Sequence, residues 1–176
     1  YLVPTLIDIA GGEIPFDFDG KPFTGVLRGE ARVHRHRIFT THTGDGVMNI
    51  FPIRSVRIGK YKYIENLRPD GYFTNHSDRL RKDGAGAFWD SWDEVAKLDP
   101  MAAAIIRNYY TRDPFELFDL EADPMEYDNL ARNSEYRDVM AQMKKELTEW
   151  TESQGDELLP HKEPYLLTEP IPDLRK

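Results

Sequence analysis

The sequence contains no cysteine among its 176 residues. This absence excludes a disulfide-stapled scaffold, a thiolate zinc site and a cysteine nucleophile within the chain. No run of 18 apolar residues occurs, so no membrane span is expected. Serine is scarce, and none stands in the Gly-x-Ser-x-Gly motif of serine hydrolases. The five serines are Ser55, Ser77, Ser91, Ser134 and Ser153.

What is present is typical of a globular protein with a core. Hydrophobic residues make up 40% and aromatic residues 12% of the chain, against 31% charged residues. The chain starts at Tyr1, without Met, in an apolar stretch. We therefore expect it to be part of a longer protein.

Charge is unevenly distributed along the chain. The formal net charge is −8, but residues 28–62 contain eight Lys and Arg against two acidic residues. A local basic surface of this kind attracts an anionic partner, although the acidic chain as a whole is not typical of a nucleic-acid binder. The alternative is that many of these side chains are only solvated strand or loop positions.

The first half of the chain predicts one helix and a hairpin. A short helix is expected over residues 3–10, followed by a Pro- and Gly-rich loop over 13–30 whose Phe16, Phe18 and Phe23 need burial. A strand is expected over 37–41. Two β-rich runs then flank Gly59-Lys60, which predicts a tight hairpin turn.

The second half predicts mainly helices after an irregular loop over 68–90. Capping patterns at Ser91, Asp99, Asp123 and Asn133-Ser134 indicate four helix starts. The second of these helices should bury Ala102–Ile106 as core. A short strand is expected over 115–120.

The last helix carries an apolar stripe at i, i+3, i+4, i+7 spacing, and it should end near Gly155. The stripe comprises Tyr136, Val139, Met140, Met143, Leu147 and Trp150. The predicted fold class is therefore α+β, with a small antiparallel sheet packed against a long C-terminal helix.

No metal site is recognisable in the histidine pattern. His34 and His36 are two residues apart, but no third ligand follows at a spacing typical of zinc sites. Residues 17–20 superficially resemble a calcium loop, yet its further ligands are absent. The remaining histidines are His42, His76 and His161.

Four segments in order resemble sulfatases of the alkaline-phosphatase-like superfamily. Residues 4–11 (Pro-Thr-Leu-Ile-Asp-Ile-Ala-Gly) and 19–29 resemble consecutive segments late in the sulfatase catalytic domain. Residues 54–64 are similar to the family's Arg-x-Val-Arg-x-x-x-Tyr-Lys-Tyr-Ile hairpin. Residues 116–131 match its closing Glu-Leu-Tyr-Asp-Leu-x-x-Asp-Pro-x-Glu-x-x-Asn-Leu-Ala signature. Within the family, residues 39–56 look most like heparan N-sulfatases (sulfamidases).

The resemblance implies a division of the chain into three parts. Residues 1–30 would be the tail end of the sulfatase α/β catalytic domain, as a helix plus a loop. Residues 31–160 would form the sulfatase C-terminal subdomain, and residues 161–176 an extended tail.

The family's chemistry is implied for the full-length protein and not for this part of it. Sulfatases use a formylglycine, made from Cys or Ser in a Cys/Ser-x-Pro-x-Arg motif, and a Ca²⁺ ion held by oxygen ligands. No serine of this chain begins that motif. We therefore assign no catalytic and no metal-binding residue, and expect this part alone to be inactive. A periplasmic, secreted or lysosomal location is implied by the resemblance only.

Three residues are candidates for substrate binding. Arg54 could pair with a sulfate or uronate through its planar guanidinium. The alternative is a structural ion pair with Glu65 or Asp119. His42 and Asn49 could bond sugar hydroxyls, or else stabilise a loop.

The leading functional hypothesis is the C-terminal part of a sulfatase acting on sulfated glycans, with N-sulfoglucosamine as the favoured substrate. Its expected partners are that glycan and the protein's own N-terminal catalytic domain, with neither nucleic acid nor a membrane span. An arylsulfatase or a sulfatase for O-sulfated sugars is the second reading. A polyanion-binding module without catalysis, which would use the basic segment, is the third.

Overall fold

The computed structural model describes residues 1–44, 46–81, 84, 86–160 and 162–171. Asp45, Lys82, Asp83, Ala85, His161 and the last five residues, 172–176, lie outside the described residues. The chain forms two compact units, Tyr1–Ile38 and Phe39–Lys176. The assignment of these parts to sulfatase domains stays a prediction.

The first unit contains two short helices, α1 (Leu2–Ile9) and α2 (Thr24–Leu27). α1 ends as predicted, because Gly11 adopts a left-handed φ of 72° just beyond its C-cap. The Thr24 hydroxyl donates to the Asp8 carboxylate and ties the two helices together.

Two expectations for the first unit are wrong. Residues 13–30 are not loop throughout, because α2 forms within them. Phe16 is fully exposed at 101%, and Phe18 is exposed too. A unit of this size has too little interior to enclose every aromatic side chain that its sequence carries.

The second unit is built on a four-stranded sheet in the order β1-β2-β3-β4. The strands are Arg37–His42 (β1), Ile53–Ile58 (β2), Tyr61–Asn66 (β3) and Phe115–Asp119 (β4), with the first residues of β1 counted in the other unit. β2, β3 and β4 pair antiparallel.

The predicted hairpin turn is confirmed by the register of β2 and β3. Ile58 pairs with Tyr61, so that Gly59 and Lys60 form a two-residue connection. Gly59 has a φ of 57°, a conformation in which a side chain would be strained.

In the described part of the chain, three helices lie between β3 and β4, and a fourth follows β4. They are α3 (His76–Leu80), α4 (Trp89–Ala96), α5 (Pro100–Tyr110) and α6 (Arg137–Ser153), with 3₁₀ turns at Leu130–Arg132 and Ser134–Tyr136. Within the described ranges, no helix is long and apolar enough to cross a bilayer.

The core lies between α6 and one face of the sheet, as the apolar stripe predicts. Val56, Tyr63 and Leu117 contribute from three neighbouring strands, and Met143 and Leu147 from the helix. All five are at most 3% exposed. Each buried side chain of this size contributes about 1.5–3 kcal/mol, so this contact fixes the sheet on the helix. The predicted α+β class is confirmed.

Two predictions for the region before α5 need correction. α4 begins at Trp89 and not at Ser91, whose hydroxyl donates to the Phe88 carbonyl inside the first turn. Trp89 is only 3% exposed and packs on Tyr109, so its burial extends the helix backwards. Residues 68–90 are likewise not loop throughout, since α3 forms there.

The predicted helix start at Asp123 is also wrong. The Asp123 carboxylate accepts from the Asp128 backbone N–H, and Glu126 takes a left-handed φ of 58°. The Glu126 carboxylate pairs with the Lys62 ammonium at 2.7 Å. Its side chain is therefore drawn to the sheet and does not close a capping box.

The Asp99 cap on α5 is confirmed, because its carboxylate accepts from Met101 and Ala102 N–H groups. The expected burial of Ala102–Ile106 is not observed. No residue of α5 is buried, and Ile105 is 49% exposed. Together with Trp92 and Val95 of α4, these side chains line an open apolar groove on the described surface.

Candidate substrate-binding site

Arg54 lies inside the second unit with its guanidinium paired to protein groups. The residue is 3% exposed. Nε and Nη2 donate to the two carboxylate oxygens of Asp156, the latter at 2.9 Å. Nη1 donates to the carbonyls of His42 and Ile53, both at 3.0 Å. The Arg54 guanidinium, which the sequence suggested as a sulfate-binding group, is therefore paired with a carboxylate of the chain itself.

The partner of Arg54 is not either of the acids that the sequence suggested. Glu65 stands opposite Arg54 in the β2–β3 register, but it accepts from the Tyr63 hydroxyl at 2.7 Å. Asp119 pairs with the Lys60 ammonium at 2.6 Å. Asp156 follows α6, and the residue before it, Gly155, has a left-handed φ of 64°.

The Arg54–Asp156 pair determines where several chain segments meet. Hydrogen bonds from Arg54 hold the pKa of the Asp156 carboxyl below its usual range. Asp156 also accepts from the Leu158 N–H at 2.9 Å, which fixes the chain after α6. Since Arg54 also binds the His42 carbonyl, it positions the end of β1 relative to this segment.

His42 and Asn49 carry polar atoms that are enclosed yet unpaired. Nε2 of His42 and Oδ1 of Asn49 are buried and have no hydrogen-bond partner among the described residues. An enclosed polar atom without a partner costs about 1–3 kcal/mol, so such atoms are rare without a reason. Both belong to the segment 42–49, which connects β1 to the core residue Ile50.

The segment 42–49 is held from outside by two hydroxyl groups. The Thr74 hydroxyl donates to the Met48 carbonyl at 2.7 Å, and the Tyr165 hydroxyl donates to the Val47 carbonyl at 2.6 Å. The backbone of Val47 and Met48 is thereby fixed just before Asn49, whose Oδ1 atom has no hydrogen-bond partner in the described part of the chain.

The sequence did not indicate a second group of enclosed polar atoms. Arg79 is 8% exposed, and its Nε and Nη2 have no partner within the described ranges. Oδ2 of Asp78 and Nε1 of Trp89 are also unpaired there. The one available signal was the Asn75-x-x-Asp78 spacing, because these residues form a complete capping box at α3.

The polar cleft beside β4 is unsuited to an anionic substrate. Its volume is about 290 Å³. Asp113, Glu116 and Glu126 line it together with a single Arg112. Burial raises the pKa of the Glu116 carboxyl. Lys62 pairs with Glu126 and Arg132 with Asp113, so these cations are already occupied and the lining keeps its acidic character beside one guanidinium.

The described residues offer binding groups and no metal cluster. Among them, no set of three or more His, Asp or Glu is arranged to hold a metal ion. The Ser55 hydroxyl, on β2, shares a hydrogen bond of 2.6 Å with the Thr40 hydroxyl. The arrangement can recognise a ligand through histidine and amide groups, which are suited to sugar hydroxyls.

Part of the chain matches a known family model. Residues 101–153, which run from α5 to the end of α6, match the model described as N-sulphoglucosamine sulphohydrolase, C-terminal. The match includes the closing motif at residues 116–131 and α6, the helix that packs on the sheet.

A curated relative matches almost the whole chain. This ulvan-active sulfatase from Formosa agariphila is 30% identical over 157 residues, which cover 88% of this chain. The same residues cover 28% of the relative. The chain therefore spans little more than a quarter of that protein's length.

Two solved structures share the fold. A 2-O GAG sulfatase superposes with a TM-score of 0.57 at 20% identity, covering 94% of this chain and 30% of that one. A protein solved in complex with its substrate, D-glucosamine-2-N,6-O-disulfate, gives a TM-score of 0.54 at 20% identity, covering 91% of this chain and 25% of that one. At these identities the likeness concerns the fold.

Proposed function

We propose that this chain is the C-terminal part of a longer enzyme that removes sulfate from sulfated glycans, as its similarity to a sulfohydrolase family model and to an ulvan-active sulfatase suggests. Its own role is to form part of the wall that recognises the sugar. The observation that carries this role is that two enclosed atoms, His42 Nε2 and Asn49 Oδ1, have no hydrogen-bond partner among the described residues. Substrate hydroxyls would satisfy both atoms once a local movement uncovers them.

Within this proposal Arg54 is a positioning residue. Its guanidinium is bonded to Asp156 and to two backbone carbonyls, so it holds the end of β1 and does not meet the glycan. His42 and Asn49 keep the binding role that the sequence suggested for them.

We favour an N-sulfoglucosamine unit as the substrate. The family model that matches residues 101–153 carries the description of an N-sulphoglucosamine sulphohydrolase, and residues 39–56 resemble the same enzymes. The relative described as an ulvan-active sulfatase favours a different sulfated polysaccharide as the second candidate.

The groups that perform the hydrolysis belong, in this proposal, to the rest of the full-length protein. The chain has no cysteine that could become formylglycine. The described residues also lack a cluster suited to Ca²⁺. Neither group fits the residues of this part, so no chemical step is assigned to them.

The purified 176-residue chain should therefore hydrolyse neither a sulfate ester nor a sulfamate. Release of sulfate from an aryl sulfate and from N-sulfoglucosamine measures this directly, beside the full-length protein under the same conditions. Turnover that increases in proportion to the amount of the chain would contradict the assignment. Full-length protein that releases sulfate from neither compound would contradict N-sulfoglucosamine as the substrate, and the absence of release from sulfated polysaccharides as well would contradict the proposed function itself.

A further inference from the structure

Two arginines of the first unit, Arg28 and Arg32, lie in a basic stretch of the sequence. From position 20 to 44 the sequence has five Lys and Arg and a single acid, Glu30, although the whole chain carries a net charge of −8. Arg28 and Arg32 are both exposed. Neither side chain forms a hydrogen bond or an ion pair with another described residue.

The backbone that carries these two arginines is nevertheless fixed. The N–H groups of Glu30 and Ala31 both donate to the Gly25 carbonyl, at 2.8 and 3.0 Å. Further along, the Arg35 guanidinium lies 3.5 Å from the centre of the Tyr1 ring. An ordered segment loses little conformational entropy when it binds a ligand.

Several other arginines among the described residues are already held in ion pairs. Arg68 is paired with Asp70 and Glu163, and Arg81 with Asp90 and Asp93. A paired guanidinium must give up an existing contact before it can bind a new anion. Arg28 and Arg32 have no such contact to lose within the described part of the chain.

We propose that Arg28 and Arg32 form a docking surface for a stretch of sulfated glycan. A guanidinium offers two parallel N–H groups that match two oxygens of one sulfate. This inference rests on the proposed function for the choice of ligand. The surface binds the polymer and carries no chemistry.

The test compares a double variant, Arg28→Gln with Arg32→Gln, with wild-type full-length protein. The ligand is a heparin-derived hexasaccharide, whose dissociation constant is measured in dilute buffer and at high salt. We expect binding to weaken about fivefold in dilute buffer, the range that two exposed ion pairs support. At about 1 M salt, where the screening length is about 3 Å, the difference should vanish.

A charge-matched control separates the surface from net charge. Lys97→Gln with Lys145→Gln removes the same two charges from exposed positions on other helices. This control should bind the hexasaccharide like wild type. Equal weakening in both double variants would overturn the proposal, and so would no weakening in either.

Two further measurements test whether weaker binding by the Arg28/Arg32 variant reflects lost sulfate recognition and whether the variant keeps its catalytic activity. An unsulfated uronate hexasaccharide should bind with less than a twofold difference between wild type and the Arg28/Arg32 variant, and equal loss on both ligands would overturn sulfate recognition. Turnover of a small aryl sulfate should be the same in wild type and variant. If the full-length protein hydrolyses no sulfate but the binding difference stands, the proposed function fails while the docking surface holds.

Discussion

Replacing Arg54 with methionine should lower the free energy of unfolding by about 3 kcal/mol, the low end of the cost of breaking a buried ion pair. The substitution leaves the Asp156 carboxylate and the carbonyls of His42 and Ile53 without their donor. Asp156 keeps 17% of its side-chain surface in solvent, which limits the loss. For a chain of this size the melting temperature should fall by about 6–12 °C.

A matched control for this prediction is Arg132→Met. Arg132 pairs with Asp113 at 2.7 Å, but its side chain is 80% exposed. Such a pair contributes about 1 kcal/mol or less. Chemical denaturation of both variants measures the contrast, and equal losses would show that the Arg54–Asp156 pair has no special weight.

The same pair gives stability a defined pH dependence. Arg54 lowers the pKa of Asp156 in the folded state below that of the unfolded chain. Its contribution is therefore complete above about pH 4, the unfolded value, and is lost as the pH falls through the folded value. In Arg54→Met this part of the acid dependence should be absent.

Replacing Leu147 with alanine should lower the free energy of unfolding by a comparable amount, about 3 kcal/mol. Leu147 is 1% exposed and lies in the cluster with Val56, Tyr63 and Leu117, between α6 and the sheet. Truncation removes buried methyl groups and leaves a cavity that rigid strands cannot fill. Urea denaturation with a linear extrapolation measures the change.

The control for Leu147→Ala is Ile105→Ala on α5. Ile105 is also a large aliphatic residue on a helix, but it is 49% exposed. Its truncation should change stability by about 0.5 kcal/mol or less. Similar losses at both positions would mean that α6 does not form the principal contact with the sheet.

Local patterns in the sequence were sufficient to predict the elements that have strong periodicity or a distinctive turn sequence. The apolar stripe on α6 and the Gly59-Lys60 turn were both predicted correctly, because each depends on neighbours within a few residues. The Asp99 cap on α5 succeeded for the same reason.

Predictions failed where a distant contact decided the local conformation. Glu126 has the spacing of a capping box, but Lys62, 64 residues away, takes its carboxylate. The partner of Arg54 is 102 residues away, beyond the turn at Gly155. No local pattern identifies such a pair, so the sequence suggested acids closer to the hairpin.

The candidate site was predicted in part. His42 and Asn49 were singled out from a resemblance, and the structure adds that each has an enclosed atom without a partner in the described residues. The capping-box spacing at Asn75 and Asp78 indicated a helix but not the burial of Arg79, because burial of an arginine depends on the packing of α3. Their contact with a substrate stays a prediction.

The central claim is that this part of the protein recognises the sugar and does not perform the chemistry. The most direct measurement is the ratio of kcat/KM for N-sulfoglucosamine to kcat/KM for a small aryl sulfate, in full-length wild type and in Asn49→Ala. Asn108→Ala, an exposed amide beside the acidic cleft, is the control. The account predicts that Asn49→Ala lowers the ratio about tenfold, the effect of one lost hydrogen bond to substrate, while the control leaves it unchanged. An unchanged ratio in Asn49→Ala, or an equal loss on both substrates, would contradict it.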